Sequence, residues 1–272
     1  MQSSAPAPAR ALSDLSLGLR SERRLLCGGA SVELLTLDRP RRLNAIDANT
    51  LDALEARLKT LAAAPEVRVV IVTGAGDRAF CAGADVTGFD ELGPLGAEAV
   101  MARGQSVMSL LEQLPQPTIA AINGYALGGG LEVALACDFR LAADTARLGQ
   151  PEITLGHIPG WGATQRLPRI VGEAVAKDLI LSARTLDAQE ALALRLVRSV
   201  HGRAQLLDAA LALAAEIAAH PEPAAAALAK RAIHAARGGG EAGYEVERQA
   251  VALCFTTAAQ QAAIRRFVRR DG

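Results

Sequence analysis

Aromatic residues are scarce, with one Trp, two Tyr and five Phe among 272 residues, and neither charge sign is in excess, 29 Lys and Arg facing 29 Asp and Glu. With no basic stripe interleaved with aromatics, the features that bind nucleic acid are missing. No uninterrupted apolar run approaches the roughly 18 to 20 residues that cross a bilayer, so no membrane association is expected. Cys27, Cys81, Cys137 and Cys254 lie far apart and none sits in a CxxC pair. That pattern speaks against a zinc site or a disulfide framework and for a reducing compartment, taken here as the cytoplasm. His157, His201, His220 and His234 are scattered without ligand spacing, so no metal is expected. Neither a GxSxG elbow nor a Cys-His arrangement offers a nucleophile. Residues 1–30 are rich in Ala, Pro, Ser and Arg and lack the apolar core of a secretory signal; they are expected to form a flexible extension. Their arginines would also suit an organelle presequence, but Arg dominates the basic residues of the whole chain.

What is present is hydrophobic material for a large core, half of all residues, enough for one big domain or two modest ones. Ser31 to Leu37 and the β-branched run Val67 to Thr73 read as strands, the second apolar on both faces as in a sheet buried between layers. Between them Leu51, Leu54, Leu58 and Leu61 recur at helical spacing, with Asp47 or Asn49 as cap and Pro65 as stop. Residues 88–97 have loop composition, and a helix with Val100, Met101, Val107, Met108 and Leu111 on its core face follows. Pro117 to Ile122 is a third strand, and Phe139 to Ala142 and Arg147 to Gly149 are short strand-like pieces. The passage from Pro151 to Leu167 reads as a loop. Beyond Arg169, Ala- and Leu-rich segments predict helices over 173–181, 187–195, 203–219, 222–236 and 241–270, the last broken near 256–259.

The chemistry concentrates in Asn123 to Glu152. Gly128, Gly129 and Gly130 bare the backbone at the start of a short helix over Leu131 to Ala136, where amides and the helix dipole favour a developing oxyanion. Glu132 lies in the first turn of that helix and Glu152 follows in a GQPE loop. A second bared stretch, Ala82, Gly83 and Ala84, occurs in GAGDRAFCAGAD. Gly74, Gly76 and Ala79 there match the GxGxxA form of a dinucleotide fingerprint, but no amphipathic helix opens behind them, so nicotinamide binding is not expected. If the Ala84 and Gly129 amides converge on one oxygen, they form an oxyanion hole. Two carboxylates beside it divide the work that addition of water to an activated double bond requires, one taking a proton from water and one delivering a proton to carbon.

The passages AFCAGAD, AINGYALGGGLEVALACDFRLA and RLGQPEITLGHIPGWGATQRLPRIVG resemble the enoyl-CoA hydratase/isomerase, or crotonase, superfamily from about Ser31 onward. The resemblance implies an α/β fold, a spiral of ββα units over about 31–200 that holds the active site. A helical region, 201–272, would then mediate assembly into a homotrimer or a dimer of trimers. It implies an acyl-CoA thioester as substrate and no separate cofactor, coenzyme A being part of that substrate. Ala84 and Gly129 match the amides that hold the thioester carbonyl, Glu132 the carboxylate that activates water, and Glu152 the one that protonates the α-carbon. Gly160 matches a position whose amide helps hold the water. Contacts to the coenzyme A or acyl portion are implied for Leu43, Arg42, Ala82, Asp85 and Val86, and, from the C-terminal helix, for Phe267 and Arg270. Arg41 and Arg42 would meet phosphates or stand as a solvated charged loop. The family usually has Lys at the position of Arg270, a more compact donor. Trp161 stands where the best-known hydratases have a smaller residue, either crowding the water side of the pocket or packing. Both carboxylates together favour a hydratase. The alternatives are an isomerase, a hydratase for a branched, dicarboxylic or aromatic acyl-CoA, and an idle acyl-CoA-binding scaffold.

Overall fold

The computed structural model describes residues 18–26, 30–220, 222–238 and 241–269. Six strands form the larger sheet: β1 (Leu19–Leu25), β2 (Ser31–Leu37), β3 (Val67–Gly74), β5 (Thr118–Ile122), β7 (Phe139–Ala143) and β10 (Ser199–His201), in that spatial order. Only β1 pairs antiparallel; the other four pairings are parallel. A smaller sheet takes the order β4 (Ala79–Cys81), β6 (Tyr125–Leu127), β8 (Arg147–Gly149) and β9 (Thr185–Asp187). The chain alternates between the sheets, so β3 leads to β4, β5 to β6 and β7 to β8, and each crossover leaves a loop between them. This repeated strand–turn–strand step, with helices interposed, is the α/β spiral implied by the resemblance.

Period-two alternation explains why the large sheet is covered on both faces. Val32, Leu34, Val69, Ile71, Ile119 and Ala121 pack on one side against Leu206, Ala210, Leu213 and Ala214 of α7 (Leu206–Ala218). Leu35, Leu37, Val70, Val72, Ala120 and Ile122 belong to the larger core on the other side. That core includes Leu51, Leu54, Leu58 and Leu61 of α1 (Ala48–Ala62) and Val107, Met108 and Leu111 of α2 (Pro94–Gln113). Asp47 is the cap of α1, its carboxylate accepting from the Thr50 amide at 2.8 Å.

The remaining helices are α3 (Gly129–Ala136), α4 (Ala163–Val171), α5 (Glu173–Ser182), α6 (Ala188–Ala193), α8 (Pro223–Ala235), α9 (Ala242–Cys254) and α10 (Ala258–Val268). The last three, with the turn after α9, leave Ile233, Tyr244, Val251, Leu253, Phe255, Ile264, Phe267 and Val268 exposed.

Three expectations need correction. Within the expected extension of residues 1–30, Leu19–Leu25 is a strand paired along its whole length with β2. Its polar residues serve the edge: Ser21 donates to Glu33, and Arg23 pairs with Glu33 and Glu66. The expected loop from Pro151 to Leu167 ends in α4, which tolerates Pro168 inside a short helix whose Leu167 is fully buried. Loop 88–97 likewise gives way to α2 at Pro94, a residue whose fixed φ suits the first helical turn.

Candidate active site

The loop after β4 and the start of α3 meet. Ile46 N donates to the Gly83 carbonyl at 2.9 Å, Ala82 N to Leu43 O at 3.0 Å and Asp85 N to Ile46 O at 2.8 Å. These bonds, with the bridge between Ile46 and Ala84, hold the backbone on either side of Ala84. Among the described residues the Ala84 and Gly129 amides themselves have no such backbone partner. A Cβ built on Gly129 would stand 3.1 Å from Ala84 N, so the two stretches approach this closely only because Gly129 has no side chain. Gly128 holds φ at +52° and ψ at −126°, a backbone state open essentially to glycine, at the turn that begins α3. Gly130 lies against the Cys81 carbonyl, where any side chain would collide.

Glu132 and Glu152 flank this point, both buried. Glu132 Oε1 accepts from Trp161 N and Ala163 N, each at 2.8 Å. Burial pushes its carboxyl up to about 7, with the charge of Glu152 adding to the rise and the two amide bonds opposing it. Burial likewise raises Glu152 to about 7. Gln150, fully buried, faces Glu152; with its NH₂ turned toward the carboxylate it donates to Oε1 at 2.8 Å and to Oε2 at 3.1 Å. Arg166, also buried, donates to Trp161 O at 3.0 Å and to Glu112 Oε2 at 3.0 Å, and Arg237 reaches the other oxygen of Glu112 at 2.7 Å.

A cavity of about 180 Å³ lies over the two carboxylates and is bordered by Ala82, Ala84, Val86, Gly129 and Gly160 as well. Of the other expected residues, Leu43 supports the loop through its carbonyl, and Asp85 pairs with Arg39 at 3.1 Å and accepts from Thr87. Arg41 and Arg42 do not border the cavity and lie on the turn before Leu43. Phe267, 68% exposed on α10, does not border the cavity within this one chain. Arg270 lies outside the described residues. His157 borders the cavity and its Nδ1 meets the Ile158 carbonyl at 3.0 Å. Gln150 and Arg166 do not stand out in the sequence. The only signal for Gln150 is its place two residues before Glu152, and Arg166 cannot be told from a surface arginine without Glu112 in view.

The raised carboxyls have a stability signature. In the unfolded chain Glu132 would titrate near 4.5, and in the fold near 7. The fold therefore favours the protonated form: no penalty exists below about pH 4.5, and it grows as pH rises towards 7, where it reaches its full size. At about 1.4 kcal/mol per pH unit, the full penalty is on the order of 3 kcal/mol. Glu132→Gln keeps an acceptor for both amides and is expected to be more stable than the parent at pH 8, with little difference at pH 4.5. Chemical denaturation at both pH values measures this, and an equal difference at the two would contradict the burial argument.

Two kinds of comparison place the chain among known proteins. The family model described as enoyl-CoA hydratase/isomerase matches residues 28–271. Short-chain-enoyl-CoA hydratase of Clostridium acetobutylicum is 39% identical over 242 residues, 88% of this chain and 92% of that protein. Crotonyl-CoA hydratase of Syntrophomonas wolfei is 38% identical, covering 87% and 91%. The crystal structure of an enoyl-CoA hydratase from Bacillus anthracis superposes with a TM-score of 0.84 at 39% identity, covering 91% of this chain and 96% of that one. With this fold and these relatives, the chain belongs to the enoyl-CoA hydratase/isomerase family.

Proposed function

We propose that the protein is an enoyl-CoA hydratase, a hydro-lyase adding water reversibly across the 2,3 double bond of a trans-2-enoyl-CoA thioester. The observation that carries this reading is the pair of buried carboxylates, both raised to about 7, beside the close approach of Gly129 to the Ala84 amide. The thioester oxygen would lie between the Ala84 and Gly129 N–H groups, which strengthen their hold as negative charge develops there. Glu132, ionised, takes a proton from water while the oxygen adds to C3; Glu152, protonated, gives its proton to C2 of the resulting enolate. One proton enters Glu132 and one leaves Glu152, and exchange with solvent restores the pair. The reaction uses no cofactor beyond the coenzyme A carried by the substrate.

Apolar residues left exposed on α8, α9 and α10 support assembly into a homotrimer or dimer of trimers, in which Phe267 would be covered. No helix among the described residues is long and apolar enough to cross a membrane. A cytoplasmic setting suits Cys81, Cys137 and Cys254, which are free thiols. The test is loss of the conjugated enoyl-thioester absorbance with purified protein, with product identification. A 3-hydroxyacyl thioester is the expected product. Migration of the double bond without uptake of water, or no turnover of any 2-enoyl thioester, would overturn the assignment.

A further inference from the structure

Trp161 is the one tryptophan of the chain, and it is 4% exposed. Its ring is pinned at both ends by glycines. A Cβ on Gly129 would stand 2.9 Å from Cζ3, and any Cβ on Gly104 of α2 would collide with Nε1. Its main chain is fixed as well, with the amide on Glu132 and the carbonyl under Arg166. The ring therefore spans from Gly129 to α2, abutting a glycine at each end.

It also separates two spaces. On one side is the 180 Å³ cavity over Glu132 and Glu152. On the other is a cavity of about 560 Å³ along α1 and α2, lined by Ile46, Leu51, Val100 and Arg103. Ala84, Phe89 and Trp161 border both. The smaller space falls below the roughly 300 to 1,000 Å³ of clefts that bury a larger ligand whole.

We propose that the Trp161 indole is the end wall of the acyl pocket and restricts the substrate to short 2-enoyl thioesters, of about four carbons. This rests on the hydratase reading above. With the carbonyl at Ala84 and Gly129 and C2–C3 between the carboxylates, the chain beyond C3 meets the indole, whose own residue's amide is 2.8 Å from Glu132 Oε1. Each added methylene must then displace a ring that abuts a glycine at each end, whereas without the indole it could pass into the larger space.

The experiment compares trans-2-enoyl-CoA substrates of four, six and ten carbons on the parent, Trp161→Phe and Trp161→Ala. The parent is expected to prefer four carbons over ten by at least about 10²-fold in kcat/KM, given the 10- to 200-fold worth of one methylene in a tight pocket. Trp161→Ala should raise kcat/KM on ten carbons by at least about tenfold, and Trp161→Phe should fall between. A parent with no preference, or a Trp161→Ala profile parallel to the parent's, overturns the proposal. Calorimetric binding of the saturated four- and ten-carbon acyl-CoA thioesters reads the same limit without turnover. A length limit in binding with no hydration would sink the hydratase reading and leave the wall intact. Should Trp161→Ala not fold, a Trp161→Phe profile unshifted toward longer chains overturns the proposal on its own.

Discussion

Replacing either Glu132 or Glu152 by glutamine is expected to lower kcat by at least about 10²-fold, within the 10²- to 10⁴-fold range of positioned acid–base groups. The loss should fall on kcat more than on KM, because the oxyanion amides that bind the thioester are untouched. The pH profile adds a readout that a damaged fold would not reproduce. Glu132 must be ionised to take a proton, so the rate falls as pH drops below its raised value of about 7. Glu152 must be protonated to give one, so the rate falls as pH rises above about 7. The parent profile is thus a narrow bell near neutrality whose limbs belong to the pair. Glu132→Gln should lose the acid limb from its residual activity and Glu152→Gln the alkaline one. Variants that keep near-parent rates and the full bell would show that these carboxylates are not the proton-transfer groups.

Gly129→Ala is expected to reduce kcat/KM by about 10²- to 10³-fold, the worth of one oxyanion donor. The new methyl would stand 3.1 Å from Ala84 N and 2.9 Å from the Trp161 ring, in the gap that the thioester oxygen has to enter. Unlike the glutamate variants, it should weaken binding of an unreactive acyl-CoA as well as turnover, while the midpoint and shape of the pH profile stay in place. Titration calorimetry beside steady-state kinetics separates the two patterns. A Gly129→Ala enzyme that binds and turns over like the parent would remove this gap from the mechanism.

How much of this is legible in the sequence depends on length and repetition. The leucines of α1 and the β-branched run of β3 repeat often enough to show their period, and their sequence bounds agree with the fold within a few residues. Strands β4, β6 and β9 have three residues each, too few to display alternation, and they exist because neighbouring strands pair with them. β1, LRSERRL, is polar at most positions, since an edge strand needs only its backbone and a few side chains to pair. The site divides along the same line. Glu132, Glu152 and the glycines carry chemistry in their own residue types. Gln150 and Arg166 acquire theirs from partners brought in by the fold. For Trp161 the sequence leaves crowding and packing as rivals, and in the fold one ring does both, since the contacts that clamp it also set it between the two cavities.

The shared carboxylate of Glu112 has a further meaning. Arg237, just beyond α8, and Arg166, under the Trp161 carbonyl, draw on the same two oxygens, so the C-terminal helices are in electrical contact with the loop that orients Glu132. Arg237 holds one oxygen of Glu112 and Arg166 the other, so each guanidinium neutralises a charge that the other also faces. If ligand binding were to tighten the Trp161 loop through this carboxylate, it would favour the docked C-terminal helices by the same free energy. The end of α8 and the loop around Glu132 thus meet on a single carboxylate.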